Sequence, residues 1–137
     1  MSGILKSIDP VNFQQGLELL RLKLPRANPN PFIIQVGKNG PGAFEPYVQK
    51  HRVLFDASGG RGVETQVWPK SDGLNCGYAG GLNPTNLREN IFRIFDAAED
   101  QEVWIDVESG VRDGHDCLDL GKVAAFLDIT KAYTVDR

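Results

Sequence analysis

The chain has 137 residues and a net charge of −3, from 15 basic and 18 acidic side chains, and 41% of its residues are hydrophobic. Such a chain makes one soluble globular domain at most, burying roughly two thirds of the surface its unfolded form exposes. A broadly basic nucleic-acid binder is excluded by the charge balance, and no run approaches the ~20 apolar residues needed to span a bilayer. The opening MSGILKSIDP has no apolar core of signal-peptide length. Two cysteines, Cys76 and Cys117, are too few for a disulfide framework or an all-cysteine metal site. The expectation is a cytoplasmic protein with no membrane segment and no nucleic-acid partner.

In chain order, Asp9-Pro10 offers a start for a helix in which Phe13, Leu17, Leu20 and Leu24 form one apolar stripe, stopped by Pro25. Phe32–Val36 reads as a strand. Residues 43–50 suit a short helix disturbed by Pro46. Arg52–Asp56 is a second strand, with the apolar middle of a strand covered on both faces. From Ser58 to Gly73 no helical period emerges, so this crossover is irregular. Asn75–Ala79 is a weak third strand. Asn83 and Pro84 then open a helix carrying Leu87, Ile91, Ile94, Phe95 and Ala98, with Asn83 as its cap. Glu102–Val107 is the fourth strand. A last helix begins at about Asp119, with Leu120, Val123, Ala124 and Leu127 on one face. Strands alternating with helices predict βαβ units and a parallel sheet.

In parallel α/β folds ligands bind at the carboxyl ends of strands. Three such ends carry polar, glycine-rich turns here: Asp56 with Gly59-Gly60-Arg61-Gly62, then Gly80-Gly81, then Asp106 with Glu108-Ser109-Gly110-Val111-Arg112. Glycines let backbone N–H groups approach an anion, and the helix after Pro84 adds partial positive charge. Together the turns read as a phosphate cradle, although each alone also suits a tight βα connection. Asp56 and Asp106 are placed to exchange a proton, or to cap the loop behind them. Arg61 and Arg112 either strengthen anion binding or are solvated surface charges. Cys76, inside a strand, reads as a small buried hydrophobe, and Trp68 as a packing anchor. His115, Asp116 and Cys117 lie too close together in sequence to wrap one metal ion. His51 precedes the amino end of a strand, away from the ligand side.

These residues resemble a known family. Leu54-Phe55-Asp56 with Gly59-Gly60-Arg61-Gly62 and Trp68 is similar to the sixth strand and loop of phosphoribosylanthranilate isomerase. Ala79-Gly80-Gly81-Leu82-Asn83-Pro84 resembles its seventh strand and following helix start. Ile105-Asp106-Val107-Glu108-Ser109-Gly110-Val111 resembles its eighth-strand motif, and the three motifs cover residues 52–128. The resemblance implies the C-terminal half of a TIM (βα)8 barrel, four parallel strands alternating with helices, so that residues 1–137 form a partial barrel domain. It implies an Amadori isomerisation in tryptophan biosynthesis, with a phosphorylated small molecule as substrate and neither metal nor cofactor. Gly80, Gly81, Ser109 and Gly110 would hold the phosphate, Asp56 would be the general acid, and Asp106 would contact the substrate near its amine. Arg61 is the added substrate-binding candidate.

Three departures accompany the match. The family's general base, a cysteine in a first-strand KICG-like motif, has no counterpart, and neither Cys76 nor Cys117 stands in its place. Arg112 occupies a position where the family usually has Glu, and Val63 one where it commonly has Lys. Four strands do not close a barrel that takes eight. Either roughly 80 residues or more precede this segment in a complete enzyme, or two copies pair as a homodimer of eight strands. A phosphate-binding protein without catalysis is the alternative function.

Overall fold

The structure is a computed structural model that describes residues 33–37, 51–58, 62 and 64–135. Its centre is one four-stranded sheet: β1 (Ile33–Val36), β2 (Arg52–Asp56), β3 (Cys76–Ala79) and β4 (Trp104–Asp106). The strands are all parallel and lie in the order β1-β2-β3-β4. Consecutive order without a reversal is how strands follow one another around a barrel; a doubly wound sheet reverses order at its switch point. The chain is therefore α/β, with a sheet of the kind that forms part of a TIM-barrel-like fold. The predicted helices over 13–24 and 43–50 lie outside the described residues.

The register sorts the strand residues onto two faces. Gln35 pairs with Leu54, Leu54 with Gly77 and Gly77 with Trp104, while Asp56, Ala79 and Asp106 form the next row on the same side. The opposite face carries Ile34, Val36, Val53, Phe55, Cys76 and Tyr78, all buried. Phe55 and Tyr78 stack with ring centroids 5.5 Å apart, and Trp68 meets Tyr78 edge-on at 5.8 Å. Burial pushes the Cys76 thiol and the Tyr78 phenol above their ordinary values. Cys76 is thus the buried hydrophobe expected of it.

Helix α1 (Leu87–Ala98) covers this apolar face with Leu87, Ile91, Ile94, Ala97 and Ala98. It starts three residues after Pro84, because Asn83 organises a separate leading turn. The Asn83 Oδ1 accepts from the N–H groups of Thr85 (2.9 Å) and Asn86 (3.2 Å), and its carbonyl accepts from Leu87 N–H at 3.0 Å. Phe95, expected on the buried stripe, is exposed and lies edge-on to Tyr133 at 5.7 Å.

The crossover from β2 to β3 shows no helix among its described residues, as expected, and it is pinned to α1. Trp68 Nε1 donates to the fully buried Asn90 Oδ1 at 3.1 Å. Ser71 N–H and Oγ donate to the carbonyls of Ala97 (2.8 Å) and Ala98 (3.0 Å), satisfying acceptors that a helix end leaves open. Glu99 then ends α1 in the left-handed region.

Helix α2 (Leu120–Thr130) begins where expected, with the Asp119 side chain accepting from Lys122 N–H at 3.0 Å. Of the expected face only Val123 packs against the core. Phe126 is buried and Val123, Ile129 and the following Tyr133 pack against the core, whereas Leu120 and Leu127 are 73% and 61% exposed. No helix among the described residues is long and apolar enough to cross a membrane.

Candidate functional site

The site is built on the row Asp56–Ala79–Asp106 at the carboxyl ends of β2, β3 and β4. Two strand spacings separate the aspartates, roughly 10 Å. The residue between them is alanine, so only a methyl group occupies the row between the two carboxylates. Three loops surround that row and enclose a cleft of about 230 Å³. This is below the roughly 300–1,000 Å³ typical of a small-molecule pocket.

Asp56 is only 5% exposed. Its Oδ1 accepts from Ser58 N–H (3.0 Å) and Ser58 Oγ (2.7 Å), and its Oδ2 from Gln35 Nε2 (2.5 Å). The capping role open to Asp56 from sequence is therefore realised, and its carboxyl group also lines the cleft. Ser58 Oγ accepts in turn from Gly62 N–H at 3.2 Å, which draws the glycine loop back toward the strand end. Sequence reasoning missed Gln35 and Ser58. Gln35 is the polar residue in an otherwise apolar strand, one strand over and two residues short of Asp56 in register, and that interruption was the available signal.

Asp106 also lines the cleft. Asp106 is exposed as a residue, yet partial desolvation of its carboxyl group, then the neighbouring Glu108 carboxylate, then that of Asp56 push that group above the ordinary Asp value. The Asp56 carboxylate is thus close enough to act on Asp106.

Glycines let the three loops meet backbone to backbone. Gly80 and Gly81 have φ of 134° and 65°, in the region that side chains avoid. A Cβ at Gly80 would lie 3.1 Å from the Ser58 nitrogen. A Cβ at Gly110 would collide with the Leu82 carbonyl, and one at Gly62 with Ser109 Oγ. The loop after β4 therefore rests on both the loop after β3 and the loop after β2. Gly80, Gly81 and Ser109 line the cleft, and Gly110 packs beside it on Leu82. Among the described residues, the N–H groups of Gly81, Ser109 and Gly110 pair with no backbone carbonyl. Arg61 lies outside the described residues.

Residues Ser109–Val111 form one 3-10 turn, and Arg112 closes it by donating its N–H to the Ser109 carbonyl at 3.1 Å. Arg112 lines the cleft, as do Glu108 and Asp116. His115 and Cys117 sit in the exposed turn beyond, where Asp113 Oδ1 accepts from both their backbone N–H groups. Among the described residues no three His, Cys, Asp or Glu side chains group as metal ligands.

Residues 26–129 match the family model of N-(5'phosphoribosyl)anthranilate (PRA) isomerase. No curated protein and no solved structure matches the chain. The matched span contains all four strands and every described residue that lines the cleft.

Proposed function

The chain belongs to the N-(5'phosphoribosyl)anthranilate isomerase family, and from that premise we propose that its cleft binds the phosphate of a phosphoribosyl amine and serves its Amadori rearrangement. The observation that carries this reading is the convergence of Asp56, Gly81, Asp106 and Ser109 on one cleft at the carboxyl end of a parallel sheet. In the proposed reaction Asp56 gives its proton to the ribose ring oxygen. The C1–O bond pair passes to that oxygen while the nitrogen lone pair forms C=N. Removal of the C2 proton by a base then yields the enol amine, which tautomerises to the ketose. Asp106 contacts the substrate nitrogen. Gly80, Gly81, Ser109 and Gly110 present the phosphate with backbone N–H groups or leave room for them.

The base for the C2 proton is assigned to a segment completing the barrel. Cys76 is buried among core residues, and Cys117 lies in the exposed turn beyond the cleft. We read the four strands as the fifth to eighth of a (βα)8 barrel, closed by four further strands. A second copy, turned about a twofold axis along the barrel, would bring its β1 against β4 and close eight strands.

A phosphate-binding protein without turnover is the second reading. It is favoured by the lack of a cysteine at the cleft among the described residues. Calorimetry with inorganic phosphate tests the shared premise. Gly81→Asp should weaken binding at least tenfold, since a carboxylate ~4 Å from a phosphate opposes it by a few kcal/mol. Unchanged affinity in the folded variant would put the anion elsewhere. Isomerase turnover by this chain, abolished in Asp56→Asn, would remove the binding-only reading.

A further inference from the structure

Arg112 is the one cationic residue lining the cleft among the described residues, and four acidic residues line it too: Asp56, Asp106, Glu108 and Asp116. A phosphate dianion entering that field needs a counter-charge. The backbone of Arg112 is fixed in place. Its N–H closes the Ser109 turn, it bridges to Leu118 across the turn 113–117, and its carbonyl accepts from Lys122 Nζ at 2.5 Å. The guanidinium is held far less tightly. Nη1 donates to the Asp116 carbonyl at 2.8 Å, but the carboxylates of Glu108 and Asp116 stand off at 3.8 and 3.6 Å, beyond hydrogen-bond distance. Both are exposed, and exposed ion pairs of this kind contribute little. Most of the five guanidinium donors are thus uncommitted, in a fork that matches a phosphate edge.

Resting on the phosphate reading above, we propose that Arg112 grips the phosphate opposite the Gly81 and Ser109 backbone, and that Glu108 and Asp116 hold it ready until the anion replaces them. The ligand class is a phosphate monoester dianion. On binding, Arg112 forms two parallel N–H···O contacts to the phosphate while Glu108 turns to solvent. Glu108 is then a competitor of the ligand as well as a guide for the arginine.

Backbone-amide NMR titration with inorganic phosphate tests this in the intact chain. Wild type should show shifts at Gly81, Ser109 and Gly110. Arg112→Gln should weaken the affinity tenfold or more, Arg112→Lys should retain part of it, and Glu108→Gln should tighten it severalfold. Undiminished affinity in Arg112→Gln, or looser binding in Glu108→Gln, overturns the assignment. Should Arg112→Gln not fold, Arg112→Lys and Glu108→Gln decide it by the same criteria. A wild-type protein that shows no phosphate response at all overturns the phosphate reading itself, a different result from one in which only Arg112 proves irrelevant.

Discussion

The two faces of the sheet differ sharply. On one, Val53, Phe55, Cys76 and Tyr78 are sealed beneath α1 and the Trp68 crossover. On the other, Gln35, Leu54 and Trp104 are half-buried, and Ile33 is 53% exposed. A parallel sheet is ordinarily covered on both faces. The less buried face is also the one that carries Gln35, Asp56 and Asp106. Stability and chemistry are therefore divided between opposite sides of the same four strands, and neighbouring residues on one strand belong to different tasks.

Phe55 and Leu54 break or sharpen that contrast most directly. Phe55→Ala should cost about 3–5 kcal/mol, the range for a fully buried aromatic ring. Leu54→Ala, one residue away, should cost well under the ~2–5 kcal/mol of a fully buried leucine. Denaturant unfolding measures both, and equal losses would mean that the second face is closed as tightly as the first. A second effect concerns assembly. If a second copy covers the less buried face, the chain should sediment as a dimer, and replacing the exposed Ile33 with Asp should shift it toward monomer. A monodisperse, folded wild-type monomer would count against the paired barrel.

The smallest expected effect belongs to Asp106. Its carboxyl group is raised in the folded state, first by partial desolvation and then by Glu108 and Asp56. A raised group adds stability below its unfolded-state value and loses that contribution as pH climbs through the folded one. Asp106→Asn should therefore unfold at a slightly higher temperature than wild type near neutral pH. The difference should shrink as pH falls through the carboxylate range. A gap that does not change with pH would show that it does not come from ionisation of Asp106.

Much of the sheet was legible in the sequence. Arg52–Asp56 is a strand with the expected bounds, because its apolar middle and polar ends mark it clearly. Glu102–Val107 shortened to Trp104–Asp106, since its outer residues gain no register partner. The weak signal at Asn75–Ala79 also has a physical cause. Gly77 lowers its strand propensity, yet a Cβ there would strike the Trp104 ring, so tertiary packing required what local preference opposed. The face of α2 was misread for the same kind of reason. Val123 packs as expected, but the neighbours that select Phe126 over Leu120 and Leu127 come from elsewhere in the chain.

At the site, strand-end position was enough to bring Asp56, Asp106, Gly80, Gly81 and Ser109 to one cleft. What joins them was not readable. The Gln35–Asp56 contact spans 21 residues, and the seating of Gly110 on the Leu82 carbonyl depends on how two loops pack. Neither leaves a periodic or compositional trace.

The Gly77–Trp104 contact has a spectroscopic consequence. The chain has two tryptophans, and each reports a different face of the sheet. Trp68 is enclosed against Tyr78 and Asn90, while Trp104 lies over Gly77 on the less buried side. Their emission therefore separates into an inner and an outer signal. With Trp68 replaced by Phe, the remaining fluorescence becomes a local optical gauge of whatever closes over the cleft side.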